Sequence, residues 1–375
     1  MVKNPFVTVG YEGAEYFCDR VEETEKLTKL LRNGNNVLLM SPRRLGKTGL
    51  LYHCFAQDSI ATDYSTFVID IYSTKNIDDL TIMMGRSILN ALKTRGRKAL
   101  EHFLNVVSSL RSGITFDLLG NPTWNVEVGS LKSPSFTLEQ IFSYLESSEK
   151  PCIVAIDEFQ QIMYYPEKNV EATLRTYIQR CRNAVFVFSG SERHLLSEMF
   201  SSPARPFYAS TSTMALDCID KSKYQEFASN LFEQGGKHLD TTVALIVYER
   251  FEGITWFVQK VMNYLYAETE VGAVCNVQMI DIAVQEIVKD NSLIYADLLY
   301  QLTPRQKELL LAINKEGKAT SITGSKFIKR YHLPSPSTIQ TAIKALIDKQ
   351  LVTHTQGIYE VYDKFFSLWL AQSFS

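Results

Sequence analysis

NVLLMSPRRLGKTGLLYHCF, residues 36–55, reads as strand, tight loop and helix. Val37, Leu38, Leu39 and Met40 form a short apolar run, as in a parallel strand covered on both faces. Leu50, Leu51, Cys54 and Phe55 give the following helix a core-facing stripe. Between them, Ser41-Pro42-Arg43-Arg44-Leu45-Gly46-Lys47-Thr48 fits the phosphate-loop pattern G-x-x-x-x-G-K-[ST], with Ser at the first glycine position. Gly46 lets the backbone approach a phosphate. Successive N–H groups and the new helix N-terminus offer positive partial charge to an anion. Lys47 adds a mobile charge for the β- and γ-phosphates, and the Thr48 hydroxyl can join a Mg²⁺ shell. The expected nucleotide cradle is therefore Ser41, Pro42, Arg43, Arg44, Leu45, Gly46, Lys47, Thr48 and Gly49.

A second stretch raises this above a chance G-K-T on a surface turn. Residues 151–161, PCIVAIDEFQQ, carry four apolar residues, Ile153 to Ile156, that end in Asp157-Glu158. Two acids closing a buried strand are costly unless they have a cation or a task. With a phosphate loop upstream, the stretch reads as a Walker B strand. Asp157 would hold Mg²⁺, directly or through water, and Glu158 would act on the attacking water as general base. Next comes Ala184 to Phe188 (AVFVF), a further buried strand ending in Ser189-Gly190-Ser191. A polar residue there sits where a γ-phosphate sensor belongs, since open parallel sheets bind ligands at the carboxyl ends of their strands.

Composition narrows the class. The 375 residues allow two or three domains, and a net charge of −2 argues against a chain coated for non-specific nucleic-acid binding. Six scattered cysteines without a C-x-x-C suggest reduced core residues, not a disulfide or zinc framework. No apolar run approaches membrane-spanning length and the N-terminus is no signal peptide, so a cytoplasmic location is expected.

In chain order, a helix is expected at 22–33 with Asp19 as its N-cap and Gly34 at its end, then a strand at 66–72 and helix over most of 77–99. A hairpin inserted at about 114–128, turning at Gly120-Asn121-Pro122, is followed by helices at 136–146 and 167–182. Strands alternating with helices predict a three-layer α/β core at 1–215. Helices at 221–235, 241–250, 256–268 and 277–289 predict a small all-α lid at 216–290. Residues 296–375 predict a winged helix. Thr303-Pro304-Arg305-Gln306 is a capping box, Ser337-Thr338-Ile339-Gln340 caps the third helix, and the strands flanking Gln356-Gly357 form the wing. From Thr303 onward ten Lys and Arg face five Asp and Glu, a local excess of +5. Thr338, Gln340, Thr341 and Lys344 on the third helix suit contacts to duplex DNA. A purely packing or protein-binding role is nearly as well supported, because Phe365, Phe366 and Trp369 have the character of domain packing.

Taken in order, Phe17-Cys18-Asp19-Arg20, SPRRLGKTGL at 41–50, DEFQ at 157–160, FSGSE at 188–192 and VYDKFFSLWL at 361–370 resemble the archaeal-type P-loop ATPases of the AAA+/STAND class, including their Bacteroidetes-type paralogues. The resemblance spans nearly the whole chain. It implies an ATPase core with helical lid and winged helix, ATP or ADP and Mg²⁺ as cofactors, and a catalytic set of Glu158, Lys47 and Ser189, with Ser189 at the sensor-1 position. It also implies that Asp19 and Arg20 lie on the base and ribose side of the nucleotide. The family often has Pro in the lid where Thr255 stands, and an Arg in a Leu-Tyr-Gly-Arg setting where this chain has Phe207-Tyr208-Ala209-Ser210. Arg43, Arg175 and Arg205 are then the candidates for the charge-neutralising arginine. The expected function is a Mg²⁺-dependent ATPase that couples its nucleotide state to lid and winged-helix movement and so acts on a partner, which is a protein client, duplex DNA or a second copy of itself. The alternative is a nucleotide-gated, DNA-binding regulator or interaction switch with negligible hydrolysis.

Overall fold

The computed structural model describes residues 4–94, 96–116, 122–124 and 134–374. The chain divides into two compact units, Val9–Lys223 and a second made of Met1–Thr8 with Tyr224–Ser375.

The first unit is built on strands β1 (Val37–Met40), β2 (Ser65–Asp70), β3 (Ile114–Phe116), β4 (Pro122–Trp124), β5 (Cys152–Asp157), β6 (Ala184–Gly190) and β7 (Ser212–Ala215). Five of them form one parallel sheet in the order β2-β5-β6-β1-β7. Side chains alternate across it. Leu38, Val154, Ile156, Phe186 and Phe188 join the core on one face. Val37, Leu39, Ile153, Ala155 and Val187 join the core on the other, with helices α1 (Val21–Arg32) and α2 (Lys47–Phe55). Both faces are covered, which is why these strands read as unbroken apolar runs. The edge strand β7 has no such run. Only Met214 of its four residues is buried, so the sequence pattern does not signal it.

β3 and β4 pair antiparallel, Ile114 opposite Trp124. Pro122, expected in the turn, opens β4, and residues 117–121 and 125–128 of the expected hairpin lie outside the described residues. The helix expected across 77–99 is two helices, Ile77–Leu92 and Arg97–Val106, parted before Gly96 at φ 102°.

In the second unit, helices Lys221–Gln234, Val243–Arg250, Thr255–Glu268 and Gln278–Asp290 are joined by one that periodicity did not single out, Ser292–Tyr300. Helices Pro304–Glu316, Ser325–Tyr331 and Pro336–Asp348, with a three-stranded sheet from Ala319–Thr320, Ile358–Val361 and Val352–Thr355, make the winged helix. The Thr303 capping box is complete, each partner accepting from the other's backbone N–H. The third helix begins earlier than its Ser337-Thr338 signal. Pro336 occupies its first position and Ser335 precedes it, because proline's fixed φ suits a helix start. The last helix, Lys364–Ser373, packs back onto the rest of its unit. Phe365 meets Phe251 at 5.1 Å and Phe257 at 5.4 Å between ring centroids. Phe6 is fully buried within this unit, 5.6 Å from Phe232 and 5.8 Å from Tyr266.

Candidate functional site

The loop from β1 to α2 turns through two left-handed residues, Arg44 at φ 67° and Gly46 at φ 91°. A Cβ on Gly46 would meet nothing within 4 Å, so glycine serves the backbone conformation there and not a crowded neighbour. Ser41, in the place of the motif's first glycine, is fully buried. Its N–H donates to Gly190 O at 3.4 Å and its hydroxyl to Pro42 O at 2.8 Å, which disposes of its polar groups locally. Lys47 is only 6% exposed, and its Nζ donates to Ser41 O at 3.3 Å. Burial lowers its pKa, and Arg43 adds to this, while Glu158 and Asp157 pull the other way without reversing it.

Asp157 closes β5 and organises the strand ends. Thr48 Oγ1 donates to its Oδ2 at 2.6 Å. Ser189 Oγ, at the end of the adjacent β6, donates to its Oδ1 at 2.5 Å, and the Glu158 N–H donates to the same oxygen at 3.0 Å. Glu158 itself sits in the left-handed region at φ 56°. Its Oε2 accepts from Ser191 Oγ at 2.8 Å and from Gln160 Nε2 at 2.5 Å. Arg43 Nε donates to Ser191 Oγ at 3.1 Å, and its guanidinium lies 5.4 Å from the centre of the Tyr72 ring. Asp70 ends β2 in register with Asp157. Desolvation in the cleft raises its pKa, and the like charges of Asp157 and Glu158 raise it further.

On the other side of the loop, Asp19 and Arg20 both have positive φ, 54° and 63°. Asp19 does not cap α1 as expected. Arg20 is the residue before the helix, and the Asp19 carboxylate accepts from Lys223 Nζ at 3.0 Å. Arg20 is 3% exposed, donating to Glu23 Oε1 at 2.6 Å, Asp217 O at 2.6 Å and Leu45 O at 3.3 Å. It thus ties the phosphate loop to the chain beyond β7. A cavity of about 520 Å³ opens beside it, lined by Asp19, Met214, Ala215, Ile219 and Lys223 among others.

A family model described as an ATPase domain predominantly from Archaea matches residues 17–261. This chain belongs to that family. A second model, described as a probable winged helix domain, matches residues 293–372. Among solved structures, the ATPase is similar to a Walker-type ATPase of Pyrococcus abyssi at 19% identity and TM-score 0.66, with 98% of this chain and 99% of that one covered. It is also similar to the ORC1 protein of Aeropyrum pernix in complex with DNA, at 13% identity and TM-score 0.52 over 98% and 94% of the chains. The ORC2 protein of Aeropyrum pernix, in ADPNP–ADP complexes, aligns at 13% identity and TM-score 0.52 over 99% and 98%. No protein with a curated description matches. These findings make the chain an ATP-binding P-loop ATPase of AAA+-like fold with a C-terminal winged helix.

The candidate arginines separate. Arg43 lies in the site. Arg205 is engaged elsewhere, its Nη2 2.6 Å from Glu171 and its Nη1 3.9 Å from Glu198. Arg175 Nε is buried without a hydrogen-bond partner among the described residues. On the winged helix, Gln340, Thr341 and Lys344 are exposed, whereas Thr338 is half-buried and shares a 3.0 Å hydrogen bond with Ser335. Sequence reasoning missed Asp70, Gln160 and Ser191. The register of β2 against β5 brings Asp70 in, and no local pattern could have. Gln160 and Ser191 were visible inside the quoted DEFQ and FSGSE motifs but carried no assigned task.

Proposed function

We propose that this ATPase binds Mg²⁺-ATP on residues 41–49, hydrolyses it with Glu158 as general base, and passes its nucleotide state to the helical and winged-helix unit. The observation that carries the reading is the convergence of Thr48, Asp157, Ser189 and Glu158 at the carboxyl ends of two adjacent strands. Lys47 and the loop N–H groups bind the β- and γ-phosphates, and Asp19 and Arg20 flank the base and ribose. Thr48 and Asp157 would hold Mg²⁺. One hydroxyl and one carboxylate suit a hard cation that takes its remaining oxygens from water and phosphate. When bound, the ion supplies charge neutralisation on the phosphates. Glu158 accepts a proton from water as the water oxygen bonds to the γ-phosphorus. The bond from that phosphorus to the bridging oxygen breaks, and ADP leaves with the electron pair. Ser189, beside Asp157, senses the γ-phosphate, with Arg43 the best-placed neutralising arginine.

Within the first unit, Lys223 holds the Asp19 carboxylate, on the side proposed for base and ribose. A thermal-shift titration of the full chain tests nucleotide binding. Mg²⁺-ATP should stabilise it, and Asp157→Asn should lose mainly the Mg²⁺-dependent part. No stabilisation by either Mg²⁺-ATP or Mg²⁺-ADP removes the reading.

A second reading, a DNA-binding switch, is favoured by the exposed Gln340, Thr341 and Lys344 and by the winged-helix match. It predicts weak duplex binding by the full chain that falls steeply with salt and weakens on Lys344→Glu. Absence of salt-sensitive binding at low ionic strength transfers the winged helix to a protein-binding role. A cytoplasmic location fits six free cysteines, and no helix among the described residues is long and apolar enough to cross a membrane.

A further inference from the structure

We infer that Ser191 and Gln160 are positioning residues that grip Glu158 by one carboxylate oxygen, and that Ser191 ties this grip to the phosphate loop through Arg43. The inference rests on the reading of Glu158 as general base. Its chemistry follows from who can donate. Arg43 Nε has a hydrogen and no lone pair to offer, so in its 3.1 Å contact Ser191 Oγ must accept. The single Ser191 hydroxyl hydrogen is then left for Glu158 Oε2 at 2.8 Å. Gln160 Nε2 donates to that same oxygen at 2.5 Å. Both donors fall on Oε2, and among the described residues none falls on Oε1. The carboxylate is therefore fixed in rotation with Oε1 as the oxygen that takes the proton from water.

The fold makes room for this arrangement. Gln160 is 2% exposed, an unusual place for an amide without a task, and its Oε1 is buried without a partner. A Cβ on Gly190 would come within 2.0 Å of that Oε1, so the glycine between Ser189 and Ser191 is what admits the Gln160 side chain. Glu158 pays for its pose with a left-handed backbone at φ 56°, a region that favours glycine. Ser189 and Ser191 thereby divide their work, the first holding Asp157 and the second Glu158.

Four variants of the full chain test this by single-turnover hydrolysis and a nucleotide binding isotherm with Mg²⁺-ATP. Ser191→Ala should slow hydrolysis by roughly 10- to 100-fold, the worth of a hydrogen bond to a charged group, with Kd changed less than about twofold. Ser191→Thr, which keeps the hydroxyl, should recover most of the rate. Gln160→Glu replaces a donor to Glu158 with a like charge and should also slow hydrolysis, with Kd changed less than about twofold. Glu158→Gln is the reference. If it abolishes turnover while Ser191→Ala runs at or above the wild-type rate, the positioning inference is wrong and the base assignment stands. If Ser191→Ala and Ser191→Thr lose rate and affinity together, Ser191 is merely structural and the inference is again wrong. A Glu158→Gln protein as active as wild type overturns the base assignment itself.

Discussion

The two units differ in where charge is buried. Among the described residues, the three buried charged side chains, Arg20, Lys47 and Asp157, all belong to Val9–Lys223, and each is met by a partner group. In the other unit the ion pairs are exposed or half-exposed, as in Arg305 with Glu308 and Arg330 with Glu316. There the helices are joined by aromatic packing around Phe365 and by Glu252, which takes Lys318 at 2.9 Å and Lys364 at 3.0 Å. Burying charge is expensive and is retained where chemistry needs it. Packing rings is stabilising and carries no chemistry of its own. The first unit is thus organised to act on a ligand, and the second to hold a helical bundle and a winged helix together.

That contrast can be broken by mutation. The largest stability effect should come from Phe365→Ala. Its ring is 1% exposed, and truncating a buried Phe costs about 3–5 kcal/mol. Denaturant unfolding followed by hydrogen exchange should show the loss within 224–374, with nucleotide binding at residues 41–49 kept. Equal loss of both would erase the contrast. Next, Lys47→Ala should weaken nucleotide binding and turnover together, because the lysine acts on phosphate charge already present in bound ATP. An isotherm with unchanged Kd would sharpen Lys47 into a transition-state residue instead.

A smaller effect concerns pH. Burial penalises the charged form of Lys47, so the cost is present while it carries its proton and is lifted as pH rises. A bound triphosphate offsets that cost. Stabilisation by nucleotide should therefore be greatest at neutral pH and decline as pH rises through the lowered pKa, before the ordinary lysine value of 10.5 is reached. Thermal shifts against pH measure this, and a decline only above that value would mean the site is wetter than its burial suggests.

Glu252→Gln should have the smallest effect. Burial raises the Glu252 pKa, but Lys318 and Lys364 outweigh it and hold the carboxyl below the usual range. Its contribution is present above the unfolded pKa and is lost as pH falls through the depressed value. At 43% side-chain exposure the pair is screened, so the change should be under about 1 kcal/mol, seen as a flatter acid limb of second-unit stability.

The comparison also separates what could be read from the sequence. Elements buried on both faces announced themselves as apolar runs, and Lys47, Thr48 and Asp157 lay in spaced motifs whose chemistry demands them. Gly34 ends α1 in the left-handed conformation at φ 75°, as expected of a C-cap glycine. What escaped was set by tertiary pairing. β7 is an edge strand with one buried residue, Asp70 reaches the site only through strand register, and Asp19 gives up its expected cap to meet Lys223, over two hundred residues away. The join within the second unit was foreshadowed by Phe365, Phe366 and Trp369, but its Glu252 clamp depends on contacts that no local pattern carries.

The central claim is that the buried polar cluster of the first unit performs ATP hydrolysis with Glu158 as base. The most direct measurement is a single-turnover rate with Mg²⁺-ATP for wild type and Glu158→Gln, each beside a binding isotherm. The account predicts that the variant binds Mg²⁺-ATP as well as wild type or better, while its rate falls by roughly two to four orders of magnitude. A variant that hydrolyses at the wild-type rate, or a wild type that binds ATP without turning it over with or without DNA, contradicts it.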